Sequence, residues 1–195
     1  MFAMADMFEI FQKFRGNSVV IPGRGAKHWR KFSDFPQRAV PLGDPAMGGH
    51  SSFAMGLALA QPSERIILFD SEGDILMNLG ALVTIAEKPP KNFYHFLLDN
   101  ECYATTGGQP VPNAKNVSYA GLAIAAGYPN AYSFDDLEDF ANNIESILDQ
   151  PGPVLVAMKV LPEIENLPIA QRPRFETRSR EEILNDLRNE LGITS

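Results

Sequence analysis

The sequence predicts an α/β fold, a doubly wound, mostly parallel sheet with helices on both faces. Apolar runs of strand length (Ser18 to Ile21, Ile66 to Phe69, Asn92 to Leu98, Pro153 to Val160) alternate with segments of helical apolar spacing, the order that joins parallel strands through crossover helices. The runs are nearly continuous rather than alternating in polarity, which suits strands covered on both faces. A chain of 195 residues with 45% hydrophobic content is enough for one ordinary domain with a sizeable core. We therefore expect a single domain over 1–195, with an extended arm and a closing helix at 161–195.

At the start, Phe8, Phe11 and Phe14 recur near helical spacing and Gly16-Asn17 closes the segment, so this aromatic stripe belongs to the core. The first strand ends in Pro22-Gly23-Arg24-Gly25, where two glycines around an arginine let backbone approach an anion; Lys27, His28 and Arg30 then read as a solvated basic turn. Arg38 to Leu42 reads as a short strand. In the helix Ser51 to Leu59, the small residues Ser52, Ala54, Gly56 and Ala58 permit close packing.

Ile66 to Phe69 empties into the acidic turn Asp70-Ser71-Glu72-Gly73-Asp74. From Ile75 to Ala86 apolar residues fall on nearly every side, predicting one long helix covered over most of its circumference and ended by Pro89-Pro90. Asn92 to Leu98 leads into Asp99-Asn100-Glu101-Cys102-Tyr103 and the pair Gly107-Gly108. Val117 to Tyr128 is helical and alanine-rich, Asn130 to Phe134 a short strand, and Asp135-Asp136 open a helix to Leu148 whose dipole favours acids at its start. Leu161 to Phe175, with Pro162, Pro168 and Pro173, is an extended arm and the expected partner contact. Arg178 to Leu191 closes the chain as a charged amphipathic helix whose Arg178, Arg180, Glu181 and Glu182 form a solvated face.

A net charge of −7 argues against a nucleic-acid or anionic-membrane surface, because both require a basic footprint. No apolar run approaches a membrane span, and the opening MFAMADMFEIFQKFRGN reads as an acidic amphipathic helix rather than a signal peptide. The single cysteine excludes an intrachain disulfide and fits a reducing compartment, so a cytoplasmic protein is expected.

The strand, helix, strand unit from Ile66 to Gln109 points to chemistry. A right-handed crossover opens both strand ends on one edge of the sheet, which makes the acidic turn and the Asp99-Asn100 loop neighbours. A carboxylate and a carboxamide supply hard oxygen ligands, and a helix start beside them offers N–H groups to a phosphate. The residues thus suggest a metal and diphosphate site. Ser71-Glu72-Gly73-Asp74 also fits a capping pattern in which Ser71 closes the helix end and no phosphate is needed.

The run Asp70-Ser71-Glu72-Gly73-Asp74-Ile75-Leu76-Met77-Asn78-Leu79-Gly80, followed by Leu98-Asp99-Asn100-Glu101-Cys102-Tyr103-Ala104-Thr105-Thr106-Gly107-Gly108-Gln109, resembles the cofactor-binding domain of thiamine diphosphate enzymes. It is most similar to the branch of sulfopyruvate and phosphonopyruvate decarboxylases, where the pattern is Asp-Gly-Asp-Gly-Ser-Leu-Leu-Met-Asn-Leu-Gly and later Leu-Asp-Asn-Gly-Xaa-Tyr-Xaa-Ser-Thr-Gly-Gly-Gln. Met47-Gly48 resembles the family's Gly-Ser-Met-Gly, and Ala126-Gly127-Tyr128 its Ala-Gly-Tyr.

The resemblance implies thiamine diphosphate with Mg2+ or Ca2+. Glu72 takes the place of the family's metal-binding Asp, with Asn100 and the carbonyl of Cys102 completing the metal set. Gly73 and Asp74, the latter in place of a Ser, present N–H groups to the diphosphate. Gly25, Ala26, Asn100 and Tyr103 belong to the implied cofactor contacts, Pro45 stands where a backbone carbonyl receives the aminopyrimidine, and Met47 is the wedge between the cofactor rings. His50 lies outside the motif and is left to cap its helix, face substrate or act in acid–base chemistry.

The implied activity is decarboxylation of a small anionic 2-oxo acid, with the cofactor as electron sink. The activating Glu of such enzymes lies on another domain, so it is expected on a companion pyrimidine-binding subunit, or on another copy in a homo-oligomer, and the chain should be inactive alone. The alternative is a cofactor-free scaffold or regulatory module that kept the fold and lost the site.

Overall fold

The computed structural model describes residues 1–42, 47–173 and 176–193. Its strands are β1 (Val19–Pro22), β2 (Ile66–Ser71), β3 (Phe93–Asp99), β4 (Cys102–Tyr103), β5 (Gln109–Pro110), β6 (Asn130–Phe134) and β7 (Val154–Lys159). Five of them pair in parallel in the order β1-β2-β3-β7-β6, while β4 and β5 make a small antiparallel pair beyond the end of β3. The helices are α1 (Met4–Phe14), α2 (His50–Ala60), α3 (Glu72–Met77), α4 (Gly80–Glu87), α5 (Tyr119–Ala126), α6 (Leu137–Leu148) and α7 (Arg180–Glu190).

Every residue of β3 is buried, as its continuous apolar run requires of a central parallel strand. Side chains of β2 divide between two cores by alternation. Ile67 and Phe69 join an aromatic cluster with α1, α6 and Trp29 on one face; Ile66 and Leu68 face α2, α4, α5 and α7 on the other. In the first cluster the ring of Phe69 meets Phe11 edge-on at 4.9 Å and Phe8 at 5.1 Å, contacts that add about 0.5 to 1.5 kcal/mol each beyond their buried area. The stripe of phenylalanines in α1 is therefore core, and it holds β2 in place below its carboxyl end.

Helix ends follow their sequences. Ser118 accepts the N–H of Gly121 at the start of α5, Gly127 ends that helix at φ 109°, and Asp136 accepts from Asp139 at the start of α6. Ser179 and Glu182 form a reciprocal capping box on α7.

Three expectations need correction. The predicted helix Ile75 to Ala86 is two helices, α3 and α4, separated at Asn78 (φ −146°, ψ 58°), and its circumference is not covered, since Met77, Leu79 and Val83 are exposed. Its break has a tertiary cause: Asn78 Nδ2 donates to the carbonyl of Gly48 at 2.9 Å. Arg38 to Leu42 makes only a single bridge, Ala39 beside Val20, after a 3-10 turn at Pro36–Arg38. The basic turn is not merely solvated. Residues Arg24–Lys31 form a 3-10 segment in which Lys27 pairs with Glu165 at 2.6 Å and His28 with Glu163 at 3.2 Å, both on the proline-containing arm.

Among the described residues no helix is long and apolar enough to cross a membrane.

Candidate cofactor and metal site

The carboxyl ends of β1, β2 and β3 meet at one edge of the sheet, and the cleft above them has an enclosed volume of about 70 Å³. Gly25, Met47, Gly73, Asp74, Asn100, Cys102 and Tyr103, all expected in the site, line it. Glu72 lies beneath the lining and Ala26 does not reach it: the alanine side chain is buried in the aromatic core and its N–H donates to Gly23 at 2.9 Å. Pro45 lies outside the described residues.

Glu72 is the centre of the expected metal set. It begins α3, is 1% exposed, and its Oε1 accepts the N–H groups of Asn100 and Cys102, each at 3.1 Å. Its Oε2 is buried without a hydrogen-bond partner. Asn100 Oδ1 lies over the same loop, accepting the N–H of Cys102 at 3.0 Å. Burial, aided by the nearby Asp99 charge, pushes the Glu72 carboxyl up to about 7, as a buried carboxylate with an unsatisfied oxygen requires. The Glu72 carboxylate, with one orphaned buried oxygen, and the Asn100 carboxamide oxygen converge on the Cys102 N–H, a set of hard oxygens that fits a divalent cation, which would restore the charged form. The added methylene of Glu relative to Asp is absorbed by turning one oxygen into the Asn100 to Cys102 amides.

The loop bearing Asn100 is pinned from the far side. Lys159 Nζ bridges Asp99 at 2.8 Å and Glu101 at 3.0 Å; burial opposes its charge, but the two carboxylates outweigh burial and hold it above its usual range. Glu101 adopts φ 65°, a left-handed conformation that costs a non-glycine residue on the order of 1 kcal/mol. The related family pattern has Gly at this place, and here the Lys159 bridge offsets the strain.

Asp74 is accommodated by partners the sequence did not reveal. Its Oδ2 is 2.8 Å from His50 Nδ1 and its Oδ1 accepts the N–H of Gly48 at 2.8 Å. Burial opposes charge on both groups; each nevertheless favours the ionised form, with His50 held above and Asp74 below its ordinary value by their mutual hydrogen bond. An imidazolium thus offsets the carboxylate that would otherwise repel a diphosphate. Beneath them Asp70 binds His95 Nε2 at 3.0 Å, and burial raises the Asp70 carboxyl despite that bond. Ligand atoms of His50, Asp70 and Asp74 fall within 4.8 Å of one another. Because His50 and Asp74 already satisfy each other there, we read this trio as a charge-balancing network and leave the cation to Glu72.

Ser71 caps α3 through the N–H of Asp74 at 3.4 Å, as its sequence predicted. A side chain at Gly73 would displace the Tyr103 ring, since a Cβ there would come within 2.9 Å of it. Gly48, at φ 72°, packs its bare Cα against Met77 and Asn78, so Asp74 and Asn78 together fasten the Met47-Gly48 turn to α3, with Met47 half exposed in the cleft.

The family model of the thiamine pyrophosphate enzyme C-terminal TPP binding domain matches residues 25–158. The chain belongs to this family. The beta subunit of sulfopyruvate decarboxylase from Methanothermobacter thermautotrophicus is 40% identical over 171 residues, covering 85% of this chain and 88% of that one. The corresponding beta subunit from Methanocaldococcus jannaschii is 32% identical over 136 residues, 67% of this chain and 71% of the relative. Phosphonopyruvate decarboxylase of Streptomyces viridochromogenes is 30% identical over 144 residues, 74% of this chain but 35% of that protein. A solved structure of a Mycobacterium smegmatis protein superposes with a TM-score of 0.69 at 15% identity, covering 82% of this chain and 32% of that one; this likeness shows the fold.

Sequence reasoning missed Arg24, Ser71 and Met77 as cleft residues, and also Ala104, Thr105 and Thr106. Arg24 lies between Gly23 and Gly25, whose freedom of backbone carries the local sequence signal. His50 carried no motif signal, since its partner lies 24 residues away.

Proposed function

We propose that this chain is the cofactor-holding subunit of a thiamine diphosphate-dependent 2-oxo acid decarboxylase of the sulfopyruvate or phosphonopyruvate type. The observation that carries the reading is the buried, unpartnered Glu72 Oε2, on a carboxylate whose other oxygen shares the Cys102 N–H with Asn100 Oδ1. Similarity to the sulfopyruvate decarboxylase beta subunits supports the substrate class.

In this reading, one folded unit over 1–195 serves the cofactor. Glu72, Asn100 Oδ1 and the Cys102 carbonyl hold Mg2+ or Ca2+. Gly73 and Asp74 face the diphosphate together with the backbone at Gly25 and the ring of Tyr103, and Met47 supports the cofactor between its rings. Pro45 keeps its proposed role at the aminopyrimidine. When bound, thiamine diphosphate supplies the electron sink for loss of carbon dioxide from a 2-oxo acid; the residues of this chain bind, orient and exclude water. The cleft holds about 70 Å³ against roughly 300 to 1,000 Å³ for a complete ligand pocket, which supports a second wall brought by another chain. A companion subunit, or a second copy, supplies that wall and the activating Glu. The lone cysteine suits a cytoplasmic setting.

A cofactor-free scaffold is the second reading, favoured by the Ser71 cap that already serves α3. The two are separated by assaying carbon dioxide release from sulfopyruvate and phosphonopyruvate, with the chain alone and with its companion. Release only by the assembled pair is expected. No release by the pair, with the chain folded, supports the scaffold.

A further inference from the structure

The amino ends of β1, β2 and β3 meet at the edge of the sheet opposite the cofactor cleft, roughly 20 Å away along the seven residues of β3. A second cavity, of about 440 Å³, opens there; small-molecule sites run from roughly 300 to 1,000 Å³. Its lining comes mainly from the segments that lead into these strands. It carries three cations, Arg15, Arg65 and Lys91, against one carboxylate, Glu64. In a chain of net charge −7 this is a local reversal of sign.

The carboxylate is already engaged, because Glu64 pairs with Arg38, which lies outside the lining. The three lining cations form no ion pair among the described residues. Arg15 is 1% exposed; its guanidinium donates to Ser33 Oγ at 2.8 Å and to the Ser18 carbonyl at 2.6 Å, while Nε is buried without a partner. Burial, and then the Arg38 charge, lowers the Arg15 pKa to about 10, with Asp34 too weak to offset them, as expected of a buried cation that touches no counter-charge. Arg65 lies over the Tyr94 ring at 5.7 Å, and that ring is fixed by its hydroxyl, 3.0 and 2.7 Å from the carbonyls of Leu148 and Gln150. The backbone of the rim is held too. Asn92 Nδ2 donates to the carbonyls of Gln61 and Glu64 at 2.9 and 2.7 Å, and the Gly152 N–H donates to the Lys91 carbonyl at 2.7 Å.

We propose that this cavity binds a small phosphorylated molecule, with Arg65 and Lys91 holding its phosphoryl group. A phosphomonoester carries about −1.5 to −2 charge at pH 7, which two cations at the rim match and the single charge of a carboxylate does not. The guanidinium fork suits two phosphoryl oxygens and the ammonium a third, as a point charge, and the buried Arg15 charge adds to the field from behind. The volume leaves room for a body beyond the phosphoryl group. Lying at the amino edge of the sheet, the site neither requires the cofactor reading nor shares residues with the cofactor cleft.

The test is titration of the isotope-labelled full chain with ribose 5-phosphate and with inorganic phosphate, followed by amide NMR shifts in EDTA at constant ionic strength, so that metal-dependent binding at the cofactor cleft stays silent. Saturable shifts at Ser18, Arg65 and Lys91, without shifts at Gly73 and Asn100, are expected, and ribose 5-phosphate should bind more tightly than phosphate. Loss of a charge-assisted partner in Arg65→Gln should weaken binding about 10-fold or more, and Lys91→Gln about 3- to 10-fold, with thermal melts to confirm folding. Lys91 is exposed, so Lys91→Gln should fold and carries the comparison if Arg65→Gln does not. Equal affinity for the two probes would overturn the small-molecule assignment and leave a site for phosphate alone. No saturable shift, shifts confined to Gly73 and Asn100, or unchanged affinity in the folded variants would overturn the site itself. The last set of outcomes leaves the cofactor reading standing, since that reading depends on metal and on the other edge of the sheet.

Discussion

The His50 and Asp74 pair decides whether a carboxylate beside the cofactor cleft is a defect or a fitted part. Removing the imidazole strands a buried charge, so His50→Gln should cost about 3 kcal/mol near neutral pH. The pH dependence has two limbs. His50 is raised in the folded chain, so its contribution is complete below its ordinary value of 6.5 and is lost as pH rises through the raised value. Asp74 is lowered, so its contribution is present above its ordinary 3.8 and is lost as pH falls through the lowered value. Denaturant melts from pH 3 to 9 should therefore show the gap between the natural chain and His50→Gln widest between these two ordinary values. His50→Gln combined with Asp74→Asn should recover part of the loss, since no buried charge then remains unpaired. A pH-independent gap would mean that the pair acts only through packing.

At the scale of elements, the parallel strands were legible because a strand buried on both faces writes its burial into consecutive apolar residues, as Phe93 to Leu98 do. The break at Asn78 was not, because it comes from a bond to the Gly48 carbonyl 30 residues away. The apolar residues Met77, Leu79 and Val83 imitated a buried helix while facing outward. Nor did the sequence reveal that Ala26, in a Gly-Arg-Gly-Ala turn, points into the aromatic core, or that the arm's acids pair with the basic turn. The meeting of Glu72 and Asn100 was legible because they follow the ends of adjacent parallel strands. The arm is tied to the cleft wall, the Glu165 N–H donating to the Ala104 carbonyl at 2.8 Å and Arg172 to the Thr105 carbonyl at 3.1 Å. Glu165→Ala removes its bonds to Lys27 and Arg172 and should raise amide exchange both along 161–172 and in the Ala104–Thr106 wall, costing about 1 to 3 kcal/mol. Faster exchange in the arm alone would show that it does not brace the cleft.

At the scale of the molecule, Met47, Met77, Leu79 and Val83 put exposed apolar surface on and next to the cleft-forming segments. In a chain proposed to hold half of a site, such surface is where the second wall belongs. Val83→Asp should leave the Tm of the isolated chain nearly unchanged, within about 0.5 kcal/mol of stability, and should weaken association with the companion subunit or a second copy in sedimentation velocity. Unaltered association would move the interface elsewhere.

In the proposed function Glu72 holds a divalent cation for a diphosphate cofactor. That role is tested most directly by calorimetric binding of thiamine diphosphate to the natural chain and to Glu72→Gln, with and without magnesium. Gln keeps an oxygen for the Asn100 and Cys102 N–H groups, so the variant should stay folded while magnesium-dependent binding falls by about tenfold or more. Magnesium-dependent binding that is equal in the two proteins, or no binding by the natural chain with or without the metal, would contradict the claim.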